Sequence, residues 1–207
     1  MKKEKMTVRK LQANETKKKI YQCAEELFRQ HGFENVTVDD IMNKVGMSKG
    51  TFFVHYASRD ALLAACITEF VNRADTDYES YLETFPEQTA TSDILMAMVG
   101  RIADNIIENV GYERIKIAYR IQLEKTFDTG MLLNHDRKIY KTFSSLVNRG
   151  MQTGEFRTDI PAESIANHLV MAMRGATYEW CIRYPDFNLK NHLLRHFQIL
   201  LCGIRKR

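Results

Sequence analysis

Apolar residues recur at intervals of three and four along most of this chain, the period of helices that bury one face. Ile20, Ala24, Leu27 and Phe28 form one such stripe and predict a first helix over 15–31. Gly32 stops it, because glycine enters the left-handed conformation without a Cβ clash. Thr37 reads as an N-cap with Asp40 three residues on, the spacing of a capping box. The short helix it starts carries Ile41 and Val45 inward and ends at Gly46. Ser48 is the next cap and opens a second short helix to about Tyr56. Ser58 caps again, with Asp60 in the first turn, where negative charge suits the helix dipole. That helix continues through Leu62, Leu63, Cys66 and Ile67 to about Glu83, and Pro86 with the Thr/Ser-rich run after it marks a turn.

Longer helices are predicted over 92–110, 113–127, 131–153, 162–184 and 189–204, punctuated by Gly111, Gly130, Gly154 and Pro185. The Gly154–Pro161 loop has room for a short extended piece. With only three prolines and no trustworthy strand-like alternation, the expected class is all-α. A three-helix N-terminal unit precedes a C-terminal helical bundle, about nine helices in total. The expected divisions are a flexible basic arm over 1–14, a helical unit over 15–60 and the bundle over 61–207.

Composition narrows the class. At 207 residues, 44% hydrophobic and 27% charged, the chain has the balance of a folded soluble protein. No run approaches the eighteen apolar residues of a membrane span, and the N-terminal lysines precede no apolar signal core. Cys23, Cys66, Cys181 and Cys202 lie far apart with no CxxC pair, which predicts no zinc site and no disulfide framework, only reduced and mostly buried thiols in a cytoplasmic protein. Charge is the informative feature. Residues 1–60 hold twelve Lys and Arg against eight Asp and Glu, while the remainder balances at eighteen of each. The net +4 therefore belongs to the first segment, and a basic end on a neutral body suits a polyanionic partner.

Two short helices over 38–45 and 48–56, joined by a tight turn with glycine, match the helix-turn-helix plan. The second must bury one face and present small polar and basic residues on the other. Phe52 and Tyr56, four apart, are expected to point inward against Phe28, Ile41 and Val45; Lys49, Thr51 and His55 are expected outside. The stretch TVDDIMNKVGMSKGTFFVHYASRDALL, Thr37 to Leu63, resembles the DNA-binding region of the tetracycline-repressor (TetR) family, and Ala24, Leu27, Phe28, Gly32 and Phe33 fit that family's first helix. The dense resemblance covers about 15–63; beyond it only helix number, lengths and order are similar.

The resemblance implies a DNA-contacting set. Thr37 and Val38 open the first helix of the motif, where amides and a hydroxyl meet phosphate. Ser48, Lys49, Gly50 and Thr51 begin the reading helix, with Lys49 reaching guanine or phosphate and Thr51 a base edge or thymine methyl. His55 takes the place of a backbone-contacting histidine. Phe53 stands where the family usually has tyrosine, so a phenolic hydroxyl to phosphate is lost. Arg59 replaces the usual lysine and adds a forked donor set.

The resemblance also implies that the remainder binds an effector and dimerises, presenting two reading helices to a palindromic operator in double-stranded DNA. Ile165, Leu169, Ala172, Ala176 and Trp180 on one helix, and Leu193, Phe197 and Leu200 on the next, are the expected homodimer interface. Met96, Met98, Tyr119, Phe127, Met131, Tyr140 and Phe143 are candidates for lining an apolar cavity, or equally for an ordinary core. His192 and His196, four apart, have no third ligand in view, so no metal or other cofactor is expected. No Ser/His/Asp constellation, phosphate loop, HExxH or CxxC supplies catalysis, so an enzyme is not expected. The expected function is a homodimeric repressor released from its operator by a small, lipophilic ligand of unidentified structure. The alternative is a regulator of the same fold that answers to a protein partner or acts as an activator.

Overall fold

Neither glycine nor proline interrupts Lys2–His31, and helix α1 spans the whole of it. The apolar stripe predicts a start at Glu15. The helix begins earlier because the preceding residues are mainly Lys, Glu, Gln, Arg, Leu and Met, side chains that lose little freedom in a helix. The computed structural model describes residues 2–125 and 137–206, in two compact units divided between Thr68 and Glu69. The division falls inside the fourth helix, later than the expected 60/61 boundary.

In the first unit, α1 packs on α2 (Val38–Val45), and α2 on α3 (Lys49–His55). Helix α4 (Arg59–Leu82) starts here, its first turn capped by Ser58, whose hydroxyl accepts from the Ala61 N–H at 3.1 Å. The core is Ile20, Ala24 and Phe28 of α1, Phe33 and Val36 of the turn, Ile41, Met42 and Val45 of α2, then Phe52, Tyr56, Leu62, Leu63 and Cys66. The Phe28 and Phe33 rings stack at 4.7 Å. Lys44 donates to Glu26 at 2.9 Å and holds that carboxyl below its ordinary range.

The second unit holds α5 (Thr91–Asp104), which continues as a π-helical turn over Asn105–Val110, then α6 (Tyr112–Glu124), α7 (Lys138–Gln152), α8 (Ala162–Arg183) and α9 (Leu189–Ile204). Nine α-helices thus occur among the described residues. The expected elements 113–127 and 131–153 meet the structure only in part, since Phe127, Gly130 and Met131 lie outside the described residues. Helix α7 packs on α5 and α8, and α9 on α5 and α8, around Leu95, Met98, Phe143, Phe156, Leu169, Trp180 and Phe197. Phe156 in the Gly154–Pro161 loop forms a single antiparallel bridge with Arg205, the short extended piece for which that loop had room. Two polar ties brace the unit. Arg137 donates twice to buried Asp75, both at 2.8 Å. Glu155 accepts from the Thr91 and Ser92 amides at 2.7 and 2.9 Å, capping α5 from sixty residues away in sequence.

The thiols correct one expectation: no disulfide joins any of the four, but only Cys66 is buried, Cys23 and Cys181 are half-buried, and Cys202 is exposed. No described helix is long and apolar enough to cross a membrane.

Candidate nucleic-acid interface

Gly46, in the left-handed conformation at φ 75°, donates its N–H to Met42 O at 2.9 Å and turns the chain sharply from α2 toward α3. Helix α3 is then oriented by what it buries. Phe52 is fully enclosed and Tyr56 nearly so, their rings 5.7 Å apart. Burial pushes the Tyr56 hydroxyl up to about 12, which keeps it uncharged at neutral pH. With that face sealed, the outer face exposes Ser48, Lys49, Gly50, Phe53 and Val54, flanked by half-buried Thr51 and His55. The inward assignment of Phe52 and Tyr56 and the outward one of Lys49 match this placement, whereas Thr51 and His55, also expected outside, are half-buried. Val54, 78% exposed at the outermost position, was not singled out by sequence reasoning, although its place on the helix wheel opposite Phe52 and Tyr56 marks it.

Several side chains of the expected phosphate set have partners within the protein. Thr37 donates both its N–H (2.8 Å) and its hydroxyl (2.6 Å) to Asp40 Oδ2, and accepts the Asp40 N–H at 3.2 Å. The capping box forms as its spacing predicts, yet it occupies both donors meant for phosphate. The Thr37 hydroxyl and amide hold the Asp40 carboxyl low, so it stays charged. Val38 begins α2 half-buried behind them. Ser48 occupies the N-cap position of α3 without capping it; its hydroxyl pairs with that of Thr51 at 3.2 Å. Arg59 Nη1 donates to the Phe33 and Val36 carbonyls at 3.2 and 3.0 Å, so the guanidinium braces the turn between α1 and α2. Lys49 reaches back to α2, where Nζ lies 2.8 Å from Asp39 Oδ2. Asp39 was not among the expected site residues, although its position in the first turn of α2 places it beside the reading helix.

The expected interface residues of α8 and α9 divide. Ile165, Leu169, Trp180, Leu193 and Phe197 are buried in their own unit's core. Trp180 stands edge-on to Tyr112 and Tyr184, at 5.9 and 5.8 Å. Ala172 is half-buried, and Ala176 and Leu200 lie against the core edge. These stripes are correct as helix faces but turn inward. The exposed face of α8 carries Met171, Gly175, Tyr178 and Ile182, and α9 exposes Ile199. A helix with two apolar faces gives no local sign of which one its own core will take.

Of the cavity candidates, Met98, Tyr140 and Phe143 are buried core residues, and Met96 packs at its edge. Tyr119 donates its hydroxyl to Arg174 O at 2.8 Å. His192 stacks on Phe187 at 4.0 Å, and neither it nor His196 has partners for a metal among the described residues, where no cluster of three ligating side chains occurs.

Residues 20–66 match the family model described as bacterial regulatory proteins, tetR family. The chain is 21% identical over 160 residues to the HTH-type transcriptional repressor AcnR of Corynebacterium glutamicum, covering 77% of this chain and 79% of that protein. It is 30% identical over 67 residues to the HTH-type transcriptional regulator EthR of Mycolicibacterium smegmatis, covering 32% and 31% of the two chains. In structure it resembles the TetR-family transcriptional repressor FadR of Thermus thermophilus, crystallised with lauroyl-CoA, at a TM-score of 0.73 and 18% identity over 92% of this chain and 96% of that one.

Proposed function

We propose that this chain, which belongs to the tetR family of bacterial regulatory proteins, is a cytoplasmic homodimeric repressor that leaves a palindromic operator when a small lipophilic ligand binds its second unit. The observation that carries the reading is α3 itself. A short helix, sealed on one side by Phe52 and Tyr56, offers Ser48, Lys49 and Gly50 to the outside at the end of a tight glycine turn. That is the shape and chemistry of a major-groove reading helix. Lys49, Thr51, Phe53 and His55 remain the proposed DNA-facing set with Ser48 and Gly50. Thr37 supports them by capping α2 and Arg59 by bracing the turn before it, while Val38 at the start of α2 belongs to the proposed DNA-contacting set.

A dimer is favoured by the exposed apolar row of α8. Met171, Gly175, Tyr178 and Ile182 follow at steps of four, three and four, and Ile199 on the adjoining α9 is 71% exposed. Apolar rows of that length on a surface mark a binding face. A two-fold dimer suits a palindromic operator, whose half-sites lie about one DNA turn, roughly 34–36 Å, apart. The lipophilic effector is supported by the lauroyl-CoA complex of the similar Thermus repressor.

Gel-shift and footprinting against the DNA upstream of its own and neighbouring genes test the reading. Tight binding to a two-fold symmetric site, weakened by long-chain acyl compounds, is the expected result. Purified protein that binds no such DNA refutes it. Binding that no small molecule relieves points instead to control by a protein partner.

A further inference from the structure

We propose that Asp39 is a specificity-determining residue of the DNA interface, working with Lys49 as an acceptor–donor pair that reads one G·C base pair in each half-site. The inference rests on the DNA-reading function proposed above. Lys49 Nζ lies 2.8 Å from Asp39 Oδ2, with the two side chains 55% and 59% exposed, on the two helices of the motif. The fold has little use for this pair. Exposed ion pairs contribute little to stability, and the cap of α2 is supplied by Thr37 and Asp40.

A carboxylate on this surface has a definite cost for DNA binding. It repels phosphate, and it neutralises the lysine that would otherwise attract phosphate. Lys49 is therefore a poor backbone contact as long as Asp39 stands beside it. Base edges are another matter. In the major groove cytosine offers its N4 amino group, which a carboxylate accepts, and the guanine paired with it offers O6 and N7, which an ammonium group donates to. Donor and acceptors lie side by side on that one edge, the complement of an acceptor and a donor held together on the protein. An A·T pair in one orientation reverses this order of acceptor and donor, and in the other it sets the thymine methyl where guanine N7 would take the ammonium group's second hydrogen bond. At such a site the pair loses its solvent without gaining full hydrogen bonding, and the penalty falls on the wrong sequence.

The test uses the full-length protein and a duplex selected from a randomised pool. Affinities of the wild type, Asp39→Asn, Asp39→Ala and Lys49→Ala are measured for the selected site, for versions with each G·C pair changed to A·T, and for random duplex, over a range of salt. Both residues are exposed, so unchanged circular dichroism and melting confirm that the variants fold. In the wild type, one symmetry-related G·C pair should cost on the order of tenfold when changed. Asp39→Ala should shrink that penalty, and Asp39→Asn should shrink or reverse it, since a carboxamide pairs with adenine. Both should bind random duplex more tightly. Lys49→Ala should lose the same preference with its salt dependence unchanged. The proposal is overturned if base preferences are identical in wild type and both Asp39 variants. It is equally overturned if Lys49→Ala weakens all sequences alike and lowers the salt slope by about one, the signature of a phosphate contact. A wild-type protein that selects no sequence from the pool overturns the DNA-reading function itself.

Discussion

Of the described glycines, Gly150 in α7 has the least room for a side chain. A methyl group built there would lie 2.8 Å from Phe156 Cγ and closer still to Cδ2 and Cε2. The ring cannot retreat easily. It is fully buried, and its backbone N–H donates to Gly150 O at 2.9 Å. On either side, Arg157 N donates to Ile204 O and Lys206 N to Glu155 O, both at 2.9 Å. Two terms oppose each other in Gly150→Ala. Alanine favours the helix by about 1 kcal/mol, whereas forcing a methyl into a filled core costs about 1–3 kcal/mol, and this overlap is near the severe end. The net expectation is a loss of about 1–2 kcal/mol. Phe156→Ala alone should cost about 3–5 kcal/mol. In that background the ring is gone, only the helix term remains, and Gly150→Ala should become stabilising. The measurement is urea denaturation followed by the fluorescence of Trp180, the only tryptophan, which is buried in the same unit. Phe156→Leu supplies a milder background if Phe156→Ala unfolds. A cost for Gly150→Ala that is absent in the wild type, or that persists when Phe156 is truncated, would refute the reasoning.

Three further outcomes are expected. Glu155→Gln should destabilise the second unit at neutral pH by about 1 kcal/mol, the worth of a helix cap. Burial raises the Glu155 carboxyl, but hydrogen bonds from Ser92 and Thr91 outweigh it and leave it below the ordinary 4.5. Its contribution is therefore complete above pH 4.5 and lost as the pH falls through the lowered value, so the variant's melting temperature should change less with acid than the wild type's; parallel acid limbs would contradict this. Arg137→Met strands the Asp75 carboxylate, which is 1% exposed, and should cost about 3–5 kcal/mol in denaturant, with most of that recovered when Asp75→Leu is added. An undiminished cost in the double variant would show that the charge is not the cause. Ile182→Asp, on the exposed face of α8, should convert a dimer to a monomer in sedimentation without altering the far-ultraviolet spectrum, whereas Trp180→Ala should lower stability; an oligomeric state untouched by Ile182→Asp would move the interface elsewhere.

Much of the first unit was legible because its signals are local. The Thr37–Asp40 box, the left-handed glycines at 32 and 46 and the Phe52/Tyr56 spacing each depend on residues within one helical turn, and each stands where the pattern predicts. The start of α1 was less legible, since polar helix formers before Glu15 show no apolar stripe. The fates of Arg59 and Lys49 were not legible at all. Each side chain had two suitable partners, phosphate or protein, and only the folded geometry shows that the Phe33 and Val36 carbonyls and Asp39 lie within reach.

By itself, the sequence determined an all-helical chain with a basic helix-turn-helix end, because helical period, capping and charge segregation are written in neighbouring residues. Tertiary structure decided which stripe of α8 is core. Ile165, Leu169 and Trp180 are buried, while Met171, Tyr178 and Ile182 face outward on the same helix. Periodicity tells which residues share a face; what covers that face depends on α7 and α9, whose packing is set by contacts distant in sequence.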